Sequence, residues 1–407
     1  MLTLEKPSVE NQALSQDIVE AFARQLSGRL IRPGDADYDE ARAIWNGMID
    51  RRPLLIAHCT SPADVINSVN FAREHGLPVA VRGGGHNVAG HATIDDGLVI
   101  DLSGLKAIDV DPESATVRAG GGVTIGELDE ATQKFGLAVP MGVVSATGIA
   151  GLTLGGGFGW LRNKHGLSSD NLISADVVTA DGRLIKATAK ENTDLLWGLR
   201  GGGGNFGIVT SFEYQAHPVG PEVAFTFVFH NGEGENMKRA IEFYRDYSTT
   251  APDEVSTILA CGIIPPEPEL FAKEIHNTPF VLFGAMYAGS AEDGQVVMQP
   301  LRDFGEPLVD FSDVMPYTEA QQVFDEDYPD GHRYYWKSLN LSRLDEPVID
   351  RIVKHARKQA SVHSTVDLWH IGGAVTQANE DEAAFHGRHA AFLLSPEANW
   401  EHPEDDE

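Results

Sequence analysis

The stretch Leu77–His86, LPVAVRGGGH, decides the reading of this chain. LPVAVR reads as a strand that runs straight into Gly83, Gly84, Gly85 and His86. Upstream, LLIAHC is another short apolar strand. Between the two, Ser61 caps a helix with Pro62 at its first position and Asp64 closing the box. Val65, Ile66, Val69 and Ala72 share one face of that helix, and Gly76 suits its stop. Strand, helix, strand and glycine loop in this order place the loop at a strand's carboxyl end, where α/β units hold their ligands.

Working outward, GLVIDLS and ATVRAGGG supply further strands, and a capping box from Thr124 to Glu127 opens a helix that closes at Gly136. Alternation in IVTSFEYQ ends this lobe near His217. Beyond Pro218 come the strands AFTFVFH, PFVLFGAMY and VDLWHIGG and helices such as NMKRAIEFYRDY, which indicate an antiparallel sheet covered on one face. Ahead of Pro53 lies a leader with helical stretches, one of them capped at Asp17. The expected organisation is α+β: a leader over 1–52, a ligand-binding lobe of two subdomains over 53–217, and a substrate lobe over 218–407. The terminal EHPEDDE reads as a solvated acidic tail.

The 31 basic and 60 acidic residues give a formal charge of -29, which repels a phosphate backbone and an anionic membrane surface. Neither nucleic acid nor membrane is an expected partner. Two cysteines, Cys59 and Cys261, are too few for a disulfide framework, and MLTLEKPSVENQ lacks the regions of a signal peptide. The expected location is cytoplasmic. No run approaches the roughly 18 apolar residues of a membrane helix.

Three glycine clusters stand in the first lobe: Arg82–His86 with Gly90, GIAGLTLGGGFG from Gly148 to Gly159, and GGGGNFG from Gly201 to Gly207. Glycine admits positive φ and lets main-chain N–H groups close around an anion, so three such loops can line an elongated phosphate-bearing ligand. Gly202, Gly204 and Gly207 match the G-x-G-x-x-G spacing, but a helix-like DLLWGLR precedes them and a strand follows, the reverse of a nicotinamide-binding unit. Gly-Lys-Ser/Thr, G-x-S-x-G and H-E-x-x-H are all absent, and His386 with His389 has no supporting ligands, so no metal is assigned.

RGGGHNVAGHA, GLTLGGGFGWLRNKHGLSSDNLISADVVTADG and DLLWGLRGGGGNFGIVTSFE together resemble the vanillyl-alcohol-oxidase type of FAD-linked oxidases with a PCMH-type FAD-binding domain. The likeness is nearest to the berberine-bridge-enzyme-like branch and its bacterial hydroxynicotine-oxidase-like members. It is dense from Pro53 to His217 and thinner from Met315 to Trp400. The resemblance implies two α+β subdomains around FAD, with an antiparallel sheet over the isoalloxazine ring. It implies a bond from His86 to the flavin 8α-methyl carbon, which prevents cofactor loss and makes the flavin a stronger oxidant. Arg82, Gly83, Gly84, Gly85, Asn87 and Gly90 would cradle the pyrophosphate and ring edge. Gly148, Gly151, Gly155, Gly156, Gly157 and Gly159 would let the backbone approach the cofactor, with Asn205, Gly207 and Val209 added from the last loop. Val144 stands where doubly linked members carry a cysteine, so at most one covalent bond is expected. The position that gates oxygen falls near Thr147, which leaves oxidase and dehydrogenase both open. Members of the branch continue past the equivalent of Trp400 with a segment that returns to the FAD lobe; this chain stops at Glu407 without its motifs, and a truncated form is expected.

The implied chemistry takes a proton from a hydroxyl or amine of a small alcohol, amine or sugar-like substrate while the adjacent carbon gives hydride to flavin N5, with oxygen or another acceptor reoxidising the flavin. Alternation in VDLWHIGG puts Asp367 and Trp369 on one face and Leu368 and His370 on the other, so only one pair can face the ring. Asp367, His370, Tyr335 and Lys337 are the candidate base or binding residues. Two rivals stand beside this reading: an FAD binder without activity, and a colourless nucleotide-sugar or phosphate binder.

Overall fold

The computed structural model describes residues 14–359 and 361–406, arranged around three principal sheets. The start of the leader, including MLTLEKPSVENQ, and the last residue, Glu407, lie outside the described residues. The helix Pro62–His75 begins at the capping box of Ser61 and Asp64 and ends at Gly76 with φ 65°. Asp64 does more than cap, because its carboxylate accepts from the N–H of Ser27 at 2.7 Å and of Gly28 at 3.2 Å and so ties the leader to this helix. The Thr124–Glu127 box likewise opens Ile125–Gln133. The first helix, Gln16–Ala23, is capped by Ser15 rather than Asp17. Ser15 has the extended backbone that lets its Oγ accept from Ile18 N, whereas Asp17 lies inside the first turn, where it acts only on the helix dipole.

In the first sheet Leu55–His58, Leu98–Asp101 and Val79–Arg82 run parallel, and Arg29–Ile31 joins the edge antiparallel. The leader therefore contributes a strand as well as helices; three residues, RLI, are too few to show a period. The second sheet is antiparallel, in the order Ile108–Asp111, Thr116–Gly120, Ile208–Gln215, Leu172–Val178, Leu184–Thr188. These two sheets form the glycine-rich lobe.

The third sheet is nine-stranded and antiparallel. Helices Asn236–Thr250, Ala291–Arg302 and Glu346–Ala356 cover one face, over a core that includes Val228, Tyr244, Phe283 and Ile349. The other face is covered too, for Phe225, Ile258 and Met286 pack against Trp160 and Leu161 of the first lobe. Both faces being buried explains strands as apolar as PFVLFGAMY. No helix among the described residues is long and apolar enough to cross a membrane.

Candidate active site

Strand Val79–Arg82 delivers the first glycine loop at its carboxyl end. Arg82 anchors the loop's start: its Nη1 donates to the carbonyls of Ala41 at 2.6 Å and Ala43 at 3.2 Å, and its Nη2 pairs with Asp101 at 2.8 Å. Gly85 and Gly90 take φ of 78° and 75°, and Asn87 closes the turn by accepting from His91 N at 3.1 Å. Gly84 and Gly148 meet main chain to main chain, so that a Cβ on either would run into the other's backbone. Two segments more than sixty residues apart are thereby held at a separation only glycine permits.

His86 projects beside this junction. Its Nδ1 is 3.4 Å from Thr147 Oγ1, and its ring stacks on Trp45 with centroids 5.1 Å apart and 15° between planes. Trp45 in turn stacks on Tyr334 at 3.7 Å. Burial holds the His86 pKa below the ordinary histidine value, against the pull of Asp330 and Asp325. The imidazole is therefore neutral at pH 7 and keeps a lone pair on one nitrogen. A cavity of about 690 Å³ opens along the loop, lined by Trp45, Gly83, Gly84, Gly85, Lys106 and Ala146 among others.

The remaining glycines have other neighbours. Gly151 faces open space. Gly155 ends the helix Ile149–Leu154, Gly156 lies against the ring of Phe385, Gly157 against the Ser168 side chain, and Gly159 against the Met141 carbonyl. Gly207 packs on Val177 in the second sheet, and buried Val209 sits behind Gly121, which itself approaches Gly83. Asn205 is exposed and donates to Gly202 O at 3.0 Å.

Of the four candidate bases, Asp367 lies on the strand face that meets the glycine lobe, while His370, on the other face, reaches Asn163 of that lobe with its ring. Thr365 and Asp367 pair in register with Glu397 and Ser395, on the face where Trp369 meets Phe158 and Trp160. Asp367 Oδ1 is buried without a hydrogen-bond partner. Burial, then the neighbouring Glu397, raises its pKa well above the carboxylate range, and burial raises Glu397 likewise. The pair therefore holds at least one proton near neutrality. Tyr334 and Trp336 share the Glu397 face, so the alternation sends Tyr335 to the opposite one, where it is 55% exposed with Lys337 Nζ 5.0 Å over its ring. Tyr335 and Lys337, expected as base or binding residues, thus lie exposed on the face turned away from Glu397. His370 lies on the helix-covered side against Phe392, its Nδ1 3.3 Å from Asn163 Nδ2, and burial followed by Arg162 lowers its pKa to about 4.

Arg162 rivets the lobes. Fully buried, it donates to the carbonyls of Gly159, His370 and Thr257 and lies over the rings of Phe158 and Trp369. Sequence reasoning missed Trp45, Tyr328, Tyr334 and Glu397; the tryptophan in AIWNG and the lone acid in LLSPEANW were the available signals.

Residues 53–188 match a family model described as FAD binding domain. The chain is 34% identical over 386 residues to an FAD-linked oxidoreductase of Dictyostelium discoideum, covering 93% of this chain and 80% of that protein. It is 31% identical over 342 residues to (R)-6-hydroxynicotine oxidase of Paenarthrobacter nicotinovorans, covering 83% of this chain and 72% of the enzyme. Among solved structures it is similar to Physcomitrella patens BBE-like 1 with a TM-score of 0.84, over 95% of this chain and 85% of that one; at 23% identity that likeness concerns the fold.

Proposed function

The chain belongs to the FAD-linked oxidoreductases of the berberine-bridge-enzyme-like family, and from that membership we propose that it oxidises a small organic alcohol, amine or sugar-like molecule with an FAD bonded to His86. The observation that carries this reading is the neutral, part-buried His86 beside the Gly84–Gly148 junction, next in the chain to Gly85 and stacked on Trp45, both of which line the cavity. The residues present fit the cofactor: Gly84 and Gly148 close main chain to main chain beside the cavity that Gly83, Gly84 and Gly85 line, and an imidazole with a free lone pair can bond to the 8α carbon. When bound, FAD supplies a two-electron acceptor at N5 that oxygen or another oxidant restores.

The chain's own residues bind, orient and move a proton. Arg82, Gly83, Gly85, Asn87 and Gly90 shape the loop, and Thr147 Oγ1 orients His86 through Nδ1. Gly151, Gly155, Asn205, Gly207 and Val209 join the cofactor-lining set as part of the proposal, Val209 by supporting Gly121 from behind. The Asp367–Glu397 pair, through whichever of its carboxyls is ionised, takes the proton from the substrate's hydroxyl or amine, because Asp367 lies on the strand face that meets the glycine lobe. Arg162 keeps that strand in register with the glycine lobe, and His370 is a spacer packed behind it.

The test is the visible spectrum of the purified protein before and after acid precipitation. A yellow protein whose colour pellets with the chain, and bleaches anaerobically with a substrate of one of these classes, is the expected result. Colourless protein, or colour left entirely in the supernatant, overturns the tether.

A further inference from the structure

On the helix-covered side of the third sheet, a cavity of about 510 Å³ opens between the first turn of the helix Asn236–Thr250 and the segment from Phe304 to Leu308. His230, near the end of the strand Glu222–Asn231, lines this cavity although it is only 2% exposed. Its ring packs against Phe283 of the helix-covered core and against Phe304. Nε2 lies 3.1 Å from the Leu301 carbonyl, and a carbonyl can only accept, so the hydrogen of the neutral ring sits on Nε2. Nδ1 is thereby left as an acceptor, buried and without a partner. Burial lowers the His230 pKa, against the pull of the Leu301 bond and of Asp310, and keeps the ring neutral at pH 7.

Charges of both signs share the cavity with this acceptor. Arg239 and Glu306 line it and are exposed, and neither makes an ion pair or a side-chain hydrogen bond among the described residues. Asn236 opens the helix, and Glu235 at its N-cap makes no side-chain cap, so the positive end of a 15-residue helix adds to Arg239. Arg239, Asn236 and the helix terminus suit a carboxylate. Glu306 and the lone pair on His230 Nδ1 suit a positively charged donor. A simple anion would leave Nδ1 unmet and confront Glu306, and a simple cation would confront Arg239. A molecule that carries both charges on one carbon meets all of these groups. We infer that this cavity binds a free α-amino acid, with its carboxylate on Arg239 and Asn236 and its ammonium group on His230 Nδ1 and Glu306. Phe304, Pro307 and Leu308 complete the wall and favour an apolar side chain. The site lies on the opposite face of the sheet from Phe225, Ile258 and Met286, which meet the glycine lobe, and it does not depend on the flavin reading.

Calorimetry on the full chain as purified tests this with L-phenylalanine and L-leucine. Two compounds that share the phenyl ring serve as comparisons: 3-phenylpropionate lacks the ammonium group and phenethylamine lacks the carboxylate. Each is expected to bind at least about 10-fold more weakly than L-phenylalanine. Arg239→Gln should cut L-phenylalanine affinity about 10-fold while leaving phenethylamine affinity near that of the parent. Glu306→Gln should cut L-phenylalanine affinity by a similar factor while leaving 3-phenylpropionate no weaker than in the parent. Both side chains are exposed, so an unchanged melting temperature is expected and shows that the fold is intact. No detectable binding of either amino acid, or equal affinities for the three phenyl compounds, overturns the inference. Binding that neither substitution weakens lies elsewhere on the protein and overturns it as well, whether or not the amino acid bleaches the flavin.

Discussion

The loop Gly83–Gly85 and the tracts Gly155–Gly159 and Gly201–Gly207 are alike in composition, yet they meet different neighbours. At the first, Gly84 touches the backbone of Gly148 and a cavity opens beside it. At the others, Gly156 and Gly201 give way to Phe385, Gly157 to Ser168, and Gly207 to Val177. In both regions the missing side chain lets protein close on protein, but only at the first loop does the resulting junction border a cavity.

Substitutions can break this contrast or sharpen it. The largest loss of stability is expected from Gly201→Ala, since φ is 101° and the new Cβ would strike the backbone of Phe385. Left-handed strain and overpacking together cost about 2–5 kcal/mol. Urea denaturation reads that loss, while the flavin-to-protein ratio of the folded fraction stays that of the parent; if the ratio collapses, the contrast between the two regions fails. Gly84→Ala should cost less, about 1–3 kcal/mol, because its φ is ordinary. It should nevertheless abolish flavin uptake, as absorbance at purification would report. A yellow Gly84→Ala protein would move the cradle elsewhere.

His86→Ala separates the tether from the cradle. It loses one stacking contact with Trp45, worth about 0.5–1.5 kcal/mol, and should retain flavin that acid precipitation now releases. Colour that still pellets with the chain would place the bond on another residue. Gly151→Ala is the smallest change: inside Ile149–Leu154 and facing open space, it should stabilise the flavin-free protein by about 0.5–1 kcal/mol. Weaker flavin uptake by the same variant would show that the open space above Gly151 belongs to the cofactor.

Much of the first lobe was legible because its signals are local. Ser61 with Asp64, Thr124 with Glu127, and the stop at Gly76 fall where the helices begin and end, whereas Gly136 lies three residues past Gln133, the last of its helix. A cap is made by residues three apart and needs nothing from the rest of the chain. Asp17 shows the limit of that reading, since which of several polar residues caps depends on its own backbone angles. The site was legible only around His86. Trp45 reaches it from the leader and Tyr334 from the third sheet, and Asn46 bridges the two regions by donating to Val88 O and Tyr334 O.

Alternation in VDLWHIGG already separated Asp367 from His370, as a two-residue period must. Which face of the strand turns toward the glycine lobe was decided by the docking of the third sheet, fastened by Arg162 and covered behind by its helices. The amino-acid order by itself determined the caps, the strand periods and the glycine loop that ends in His86, because dihedral preferences and short-range hydrogen bonds act within a few residues. The tertiary structure alone decided which glycines border a cavity, which strand face carries the acids and which aromatic rings stack on the histidine. Those outcomes depend on segments tens to hundreds of residues apart in the chain, and only close packing brings them within reach of one another.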